Sequence, residues 1–176
     1  MDATSVFQDA FARMPDLVSA AVDGLDETAL THRLDAKANS IAWLVWHLTR
    51  VQDDHLAAAA AALRWERFTD QVYAGGFAER FGLPFASEAV GYGQSSDEVA
   101  VVQAPAKLLV KYHAAVHART VEVLDAVGAH EWAAVVDEHW DPPVTLLARV
   151  SSVLGDVTQH VGQAAFVRGV VERAVS

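Results

Sequence analysis

The chain has 176 residues, 52% hydrophobic and 20% charged, a balance that suits one folded domain over residues 1–176 and excludes a disordered chain. A formal net charge of −10 argues against a nucleic-acid partner, because binding phosphate backbones needs a basic footprint. Cysteine is absent, which excludes disulfides, thiolate metal sites and a cysteine nucleophile, so any thiol chemistry must use a thiol brought in from outside.

Residues 3 to 23 carry Phe7, Phe11, Met14, Leu17, Val18 and Ala21 at helical spacing, with Pro15 marking a kink or restart and Gly24 closing the helix. The acidic, amphipathic start is unlike a signal peptide, and no apolar run reaches the roughly 18 residues of a membrane span. The expectation is a cytoplasmic protein without a membrane partner. Asp26 can cap a short turn, and Asn39 or Ser40 a second long helix over about 40 to 63 with its stripe at Leu44, Leu48 and Val51. From Leu63 to Gln103 the periodicity fails among glycines and aromatics. This stretch reads as an ordered crossover with short helices near AERFG and SSDEVA, packed over one end of the molecule. Pro105 opens a third helix to about Gly128, and Thr145 a fourth to about Glu172. No strand pattern is strong. The expected fold is all-α, a four-helix bundle running up-down-down-up because the second link is long.

The fourth helix places Asp156 and His160 one turn apart, on one flank of a stripe formed by Val150, Val153, Val157, Val161 and Ala164. Carboxylate oxygen and imidazole nitrogen are both ligands for zinc and similar divalent ions. The best third candidate is His47 on the second helix. A metal-free hydrogen bond from Asp156 to either histidine fits the same spacing equally well. Asp54 is a candidate acceptor for an imidazole N–H, although an exposed helix acid is the plainer reading. His55 either sits in the core or lines the same pocket. His113 and His117 form another i, i+4 pair, read as a solvated flank, and Arg50 and Arg168 could bind an anionic group near the site, although surface charges are the plainer reading.

WHLTRVQDDH early in the chain and DVTQHVGQAAFVRG late in it resemble the DinB-like superfamily of four-helix-bundle metalloproteins. That superfamily also contains the mycothiol-dependent maleylpyruvate isomerase N-terminal domain and related thiol S-transferases. GGFAERFGLPF, GYGQ and EHWDPPVT are similar to its actinobacterial branch. The resemblance implies His47, Asp156 and His160 as metal ligands, with Gln163 following in the Gly-Gln pair beside them. Asp156 stands where many members carry His and the isomerase branch carries Glu.

Two functions follow as expectations. One is a metal enzyme, zinc first and nickel second, that uses mycothiol or a similar thiol on an electrophilic small molecule. The other is a non-catalytic bundle whose polar residues form a buried network and whose apolar faces make a homodimer.

Overall fold

The computed structural model describes residues 2–174. Asp2 caps α1 (Ala3–Ala12) by accepting from the Ser5 amide at 2.9 Å. Helix α2 (Met14–Val22) restarts at once, with Pro15 in its first turn, where a missing N–H costs nothing. Its buried stripe is Met14, Val18, Ala21 and Val22, which leaves Leu17, expected in the core, on the flank and 46% exposed. Asp26 caps the short α3 (Glu27–Thr31) through the Ala29 amide at 2.8 Å.

Ser40 caps α4 (Ile41–Ala62) through the Trp43 amide. This helix packs against α7 (Ala106–Ala126) and α8 (Leu146–Ala174), and α2 packs against the same two helices. The sequence suggests a one-sided stripe on α4, but every residue from Ile41 to Asp53 is buried. The crossover covers the polar side. It contacts Asp53 at residues 72 and 73, Arg50 at 71, 87 and 89, His47 at 90 and Trp43 at 94. It therefore runs along the flank of α4 and does not merely cap an end.

Within the crossover, Tyr73–Phe77 forms a wide turn broken at Gly75 and Gly76, and α5 (Ala78–Phe81) ends at Gly82 in the left-handed region. Helix α6 (Ser96–Val101) starts from a reciprocal Ser95–Glu98 capping box. Tyr73, Phe77 and Phe81 gather round the Tyr112 ring of α7 with centroids 5.0–5.6 Å away. These rings join the crossover to the main core, which includes the α8 stripe Val150, Val153, Val157, Val161 and Ala164.

One expectation about secondary structure fails. The link before α8 holds a two-stranded antiparallel pair, β1 (Val135–Asp137) with β2 (Val144–Thr145). Strands this short cannot display a period of two, so the sequence carries no signal for them. Tertiary partners hold them, including an Arg149–Asp137 ion pair at 2.6 Å. The fold is thus mostly helical with one small sheet. Among the described residues no helix is long and apolar enough to cross a membrane.

Candidate metal centre

His47 lies in the second turn of α4, 2% exposed, with its ring stacked on Trp43 one turn earlier at 4.5 Å. Asp156 and His160 project from the facing flank of α8. One donor atom from each of the three residues lies within 4.8 Å of the others. The two imidazoles meet edge to face at 4.7 Å.

The tautomers follow from the partners. His47 Nδ1 contacts the Val90 carbonyl, and His160 Nδ1 contacts the Asp156 carbonyl at 2.9 Å. A carbonyl only accepts, so each Nδ1 carries the proton and each Nε2 keeps a lone pair. Burial lowers the His47 pKa, against the opposing pull of Val90 and Asp156, and so favours the neutral ring a metal needs. A metal-bound histidine in proteins is oriented in this way, by a fixed acceptor on its other nitrogen.

The Asp156 carboxylate is incompletely paired. Its Oδ1 is buried and has no hydrogen-bond partner. His47 Nε2 stands 4.0 Å from Oδ2, and His160 Nδ1 stands 3.5 Å from Oδ1 but is already committed to the carbonyl. Neither contact is a hydrogen bond, so neither histidine satisfies this carboxylate and Oδ1 is left without a partner. A carboxylate with an unpartnered oxygen, grouped with two imidazoles, is a donor set suited to a divalent cation. Bonds of about 2.0–2.2 Å to one ion would require the three donors to close in by roughly an ångström or less.

The crossover supplies the wall. Tyr92 lies edge-on to His47 at 5.2 Å and nearly parallel to His55 at 6.2 Å. Burial and the neighbouring Asp156 charge raise its pKa, and its hydroxyl reaches the Asp156 carboxylate. Trp43 Nε1 donates to Gln94 at 2.7 Å, which holds the loop beyond it. Gly91, with φ of +104°, lets this loop reach the site. A Cβ there would stand 2.7 Å from His47 Nδ1 and 3.1 Å from Trp43. Gly91→Ala is expected to cost about 1–3 kcal/mol from overpacking and backbone strain. Gly93, also at positive φ but in open space, should cost less when changed to Ala. Urea midpoints of the two variants check the order.

The remaining predicted residues divide. His55 is half-buried beside Tyr92 and pairs with Asp54 at 3.1 Å. Asp54 also accepts from Gln71 at 2.8 Å, so it serves His55, while backbone carbonyls serve His47 and His160. Gln163 is exposed and lines an open groove with Asn39 and Phe166. The sequence reading gave Val90 and Gly91 no role at the site. The Gly-Tyr-Gly run was the available signal, because glycine marks places where backbone approaches another group closely.

Arg50 and His113 are corrections. Arg50, read as a surface charge, is fully buried. His113, read as solvated, is 1% exposed, and its Nε2 and the His117 Nδ1 both lack partners. Burial, with a smaller contribution from His117, pushes the His113 pKa down to about 3. The unfolded chain takes up this proton near pH 6.5 and the folded chain does not, so stability falls as pH drops from about 6.5 toward 3. His113→Leu is expected to flatten that acid limb, as measured by urea midpoints between pH 8 and 4.

A mostly helical chain that gathers two imidazoles and one carboxylate belongs, by architecture and site, with helical proteins able to hold a divalent metal between facing helices. The mycothiol-S-transferase family model matches residues 6–173, and the chain belongs to that family. It is similar to a crystal structure of a conserved protein from Enterococcus faecalis. The two share 26% identity and a TM-score of 0.85 over 97% of this chain and 98% of that one. No curated protein matches.

Proposed function

We propose that this protein is a divalent-metal-dependent thiol S-transferase, with His47, Asp156 and His160 as ligands and zinc ahead of nickel as the metal. The thiol is mycothiol or a similar low-molecular-weight thiol, and its partner is an electrophilic small molecule. The scaffold for this chemistry is a four-helix bundle of α1–α2, α4, α7 and α8 running up-down-down-up. The observation that carries the reading is the unpartnered Asp156 oxygen in a group with two imidazoles whose Nδ1 atoms are tied to carbonyls. Family membership supports the thiol.

A cation held there would lower the pKa of a nearby thiol and so favour its nucleophilic form. The chain's own residues do the rest. Val90 and the Asp156 carbonyl select the Nδ1–H tautomer of each neutral ring, so that Nε2 is the nitrogen with the free lone pair. Trp43 and Tyr92 wall the site and limit water. The thiol gives its proton to solvent, its sulfur bonds to the electrophilic carbon, and that carbon's bond to its leaving group breaks, the group departing with the bonding electrons. With only three protein ligands, the site keeps room for substrate, as catalytic zinc sites do.

Metal analysis of protein purified without chelators tests this, together with loss of free thiol in the presence of mycothiol and a reactive electrophile. Stoichiometric metal and metal-dependent thiol consumption support the proposal. Protein that takes up no metal after add-back overturns it.

A further inference from the structure

Arg50 is a cation at 0% exposure in the middle of α4. Burying such a group costs several kcal/mol unless its donors are used. Here most of them are spent on the crossover. Nε donates to the Ala89 carbonyl at 3.1 Å, and one terminal nitrogen donates to the Ser87 carbonyl at 2.8 Å and to Gln71 at 2.9 Å. The other faces the Tyr112 hydroxyl at 3.3 Å and Asp53 at 3.5 Å, while the guanidinium lies over the Tyr73 ring at 4.2 Å.

The next carbonyl along the chain after Ala89 is Val90, the acceptor for His47 Nδ1. Successive carbonyls of one loop are thus taken up by two α4 side chains one turn apart, Ala89 by Arg50 and Val90 by His47. Asp53 secures a different part of the crossover, through the amides of Val72 and Tyr73. The segment that reaches His47 is held from below by Arg50.

We infer that Arg50 is a positioning residue that fixes the His47 tautomer by holding residues 87–89, and so tunes how tightly the site binds its cation. The part concerning the cation rests on the metal-site reading above. A guanidinium suits this task because its planar fork reaches two carbonyls and an amide at once. A lysine is a single point charge and cannot. With the loop released, the Val90 carbonyl no longer dictates which nitrogen is protonated. His47 then populates the Nε2–H form, in which the nitrogen facing Asp156 has no lone pair to give.

The test uses the metal-free full chain, labelled with ¹⁵N, so that its first readout needs no metal. In the parent, side-chain ¹⁵N shifts should report His47 as Nδ1–H alone. In Arg50→Lys, both tautomers should be seen, and zinc affinity should weaken by about 10–100-fold, the usual effect of losing a group that orients a ligand. A folded Arg50→Lys protein in which His47 remains Nδ1–H alone overturns the inference. If that variant does not fold, Gln71→Ala decides. It removes one anchor of the guanidinium from a half-buried position and should produce the minor tautomer in a folded protein. An unchanged tautomer there overturns the inference too. A parent that binds no zinc defeats the metal-site reading, while the tautomer shift still decides the role of Arg50.

Discussion

Asp53→Ala is expected to remove about 3–5 kcal/mol of stability, the cost of breaking a buried ion pair from one side. Asp53 accepts the Val72 amide at 2.9 Å, the Tyr73 amide at 2.8 Å and the Tyr112 hydroxyl at 2.9 Å, and it faces Arg50. Alanine leaves two buried amides and a phenol without an acceptor, and it leaves the guanidinium without its counter-charge. Each orphaned group carries its own desolvation penalty. For a chain of this length the loss corresponds to a fall in Tm of roughly 6–20 °C. Urea unfolding should show a lower midpoint with an unchanged slope, because the surface exposed on unfolding is the same. A double-mutant cycle with Arg50→Met should show strong coupling, since removing both charges spares the core an unpaired one. A loss below about 1 kcal/mol would mean that the crossover is held by its aromatic packing alone.

His47→Ala is expected to abolish stoichiometric metal uptake and to lower thiol transfer at least about 100-fold. Loss of a group that merely supports a ligand already costs up to that much. The variant removes a donor nitrogen and also the partner of the Val90 carbonyl. The parent and the variant should therefore be compared by metal content, by thiol consumption and by circular dichroism. A folded variant that keeps its metal would remove His47 from the ligand set. A folded variant that loses its metal but keeps its activity would separate the catalysis from the cation.

The helix ends were open to reading because local chemistry sets them. Asp26 and Ser40 cap as their types predict, and Pro105 precedes α7. The candidate ligands were legible for a similar reason. One helical turn separates Asp156 from His160, and such a pair shares a flank whatever the rest of the fold does. The residues that orient His47 were not legible. A backbone carbonyl has no residue type, so nothing in the letters marks Val90 as an acceptor. Arg50 was misread because a charge on a helix is usually solvated. Only its burial shows that its donors are spent on a loop 37 to 39 residues away in sequence. His113 was misread because its periodicity says which flank it occupies and not how deeply that flank is covered.

By itself the sequence determined the long helices, their caps, the absence of thiol ligands and the one-turn spacing of Asp156 and His160, since all of these depend on neighbours within a few residues. The tertiary structure decided that α4 is enclosed on its polar side as well, that the crossover lies along it, and that a loop carbonyl and a buried guanidinium meet the histidine. Those outcomes depend on groups distant in the chain meeting in a space that excludes water. There, unpaired polar atoms are too costly to leave, and each must find whichever partner the packing brings.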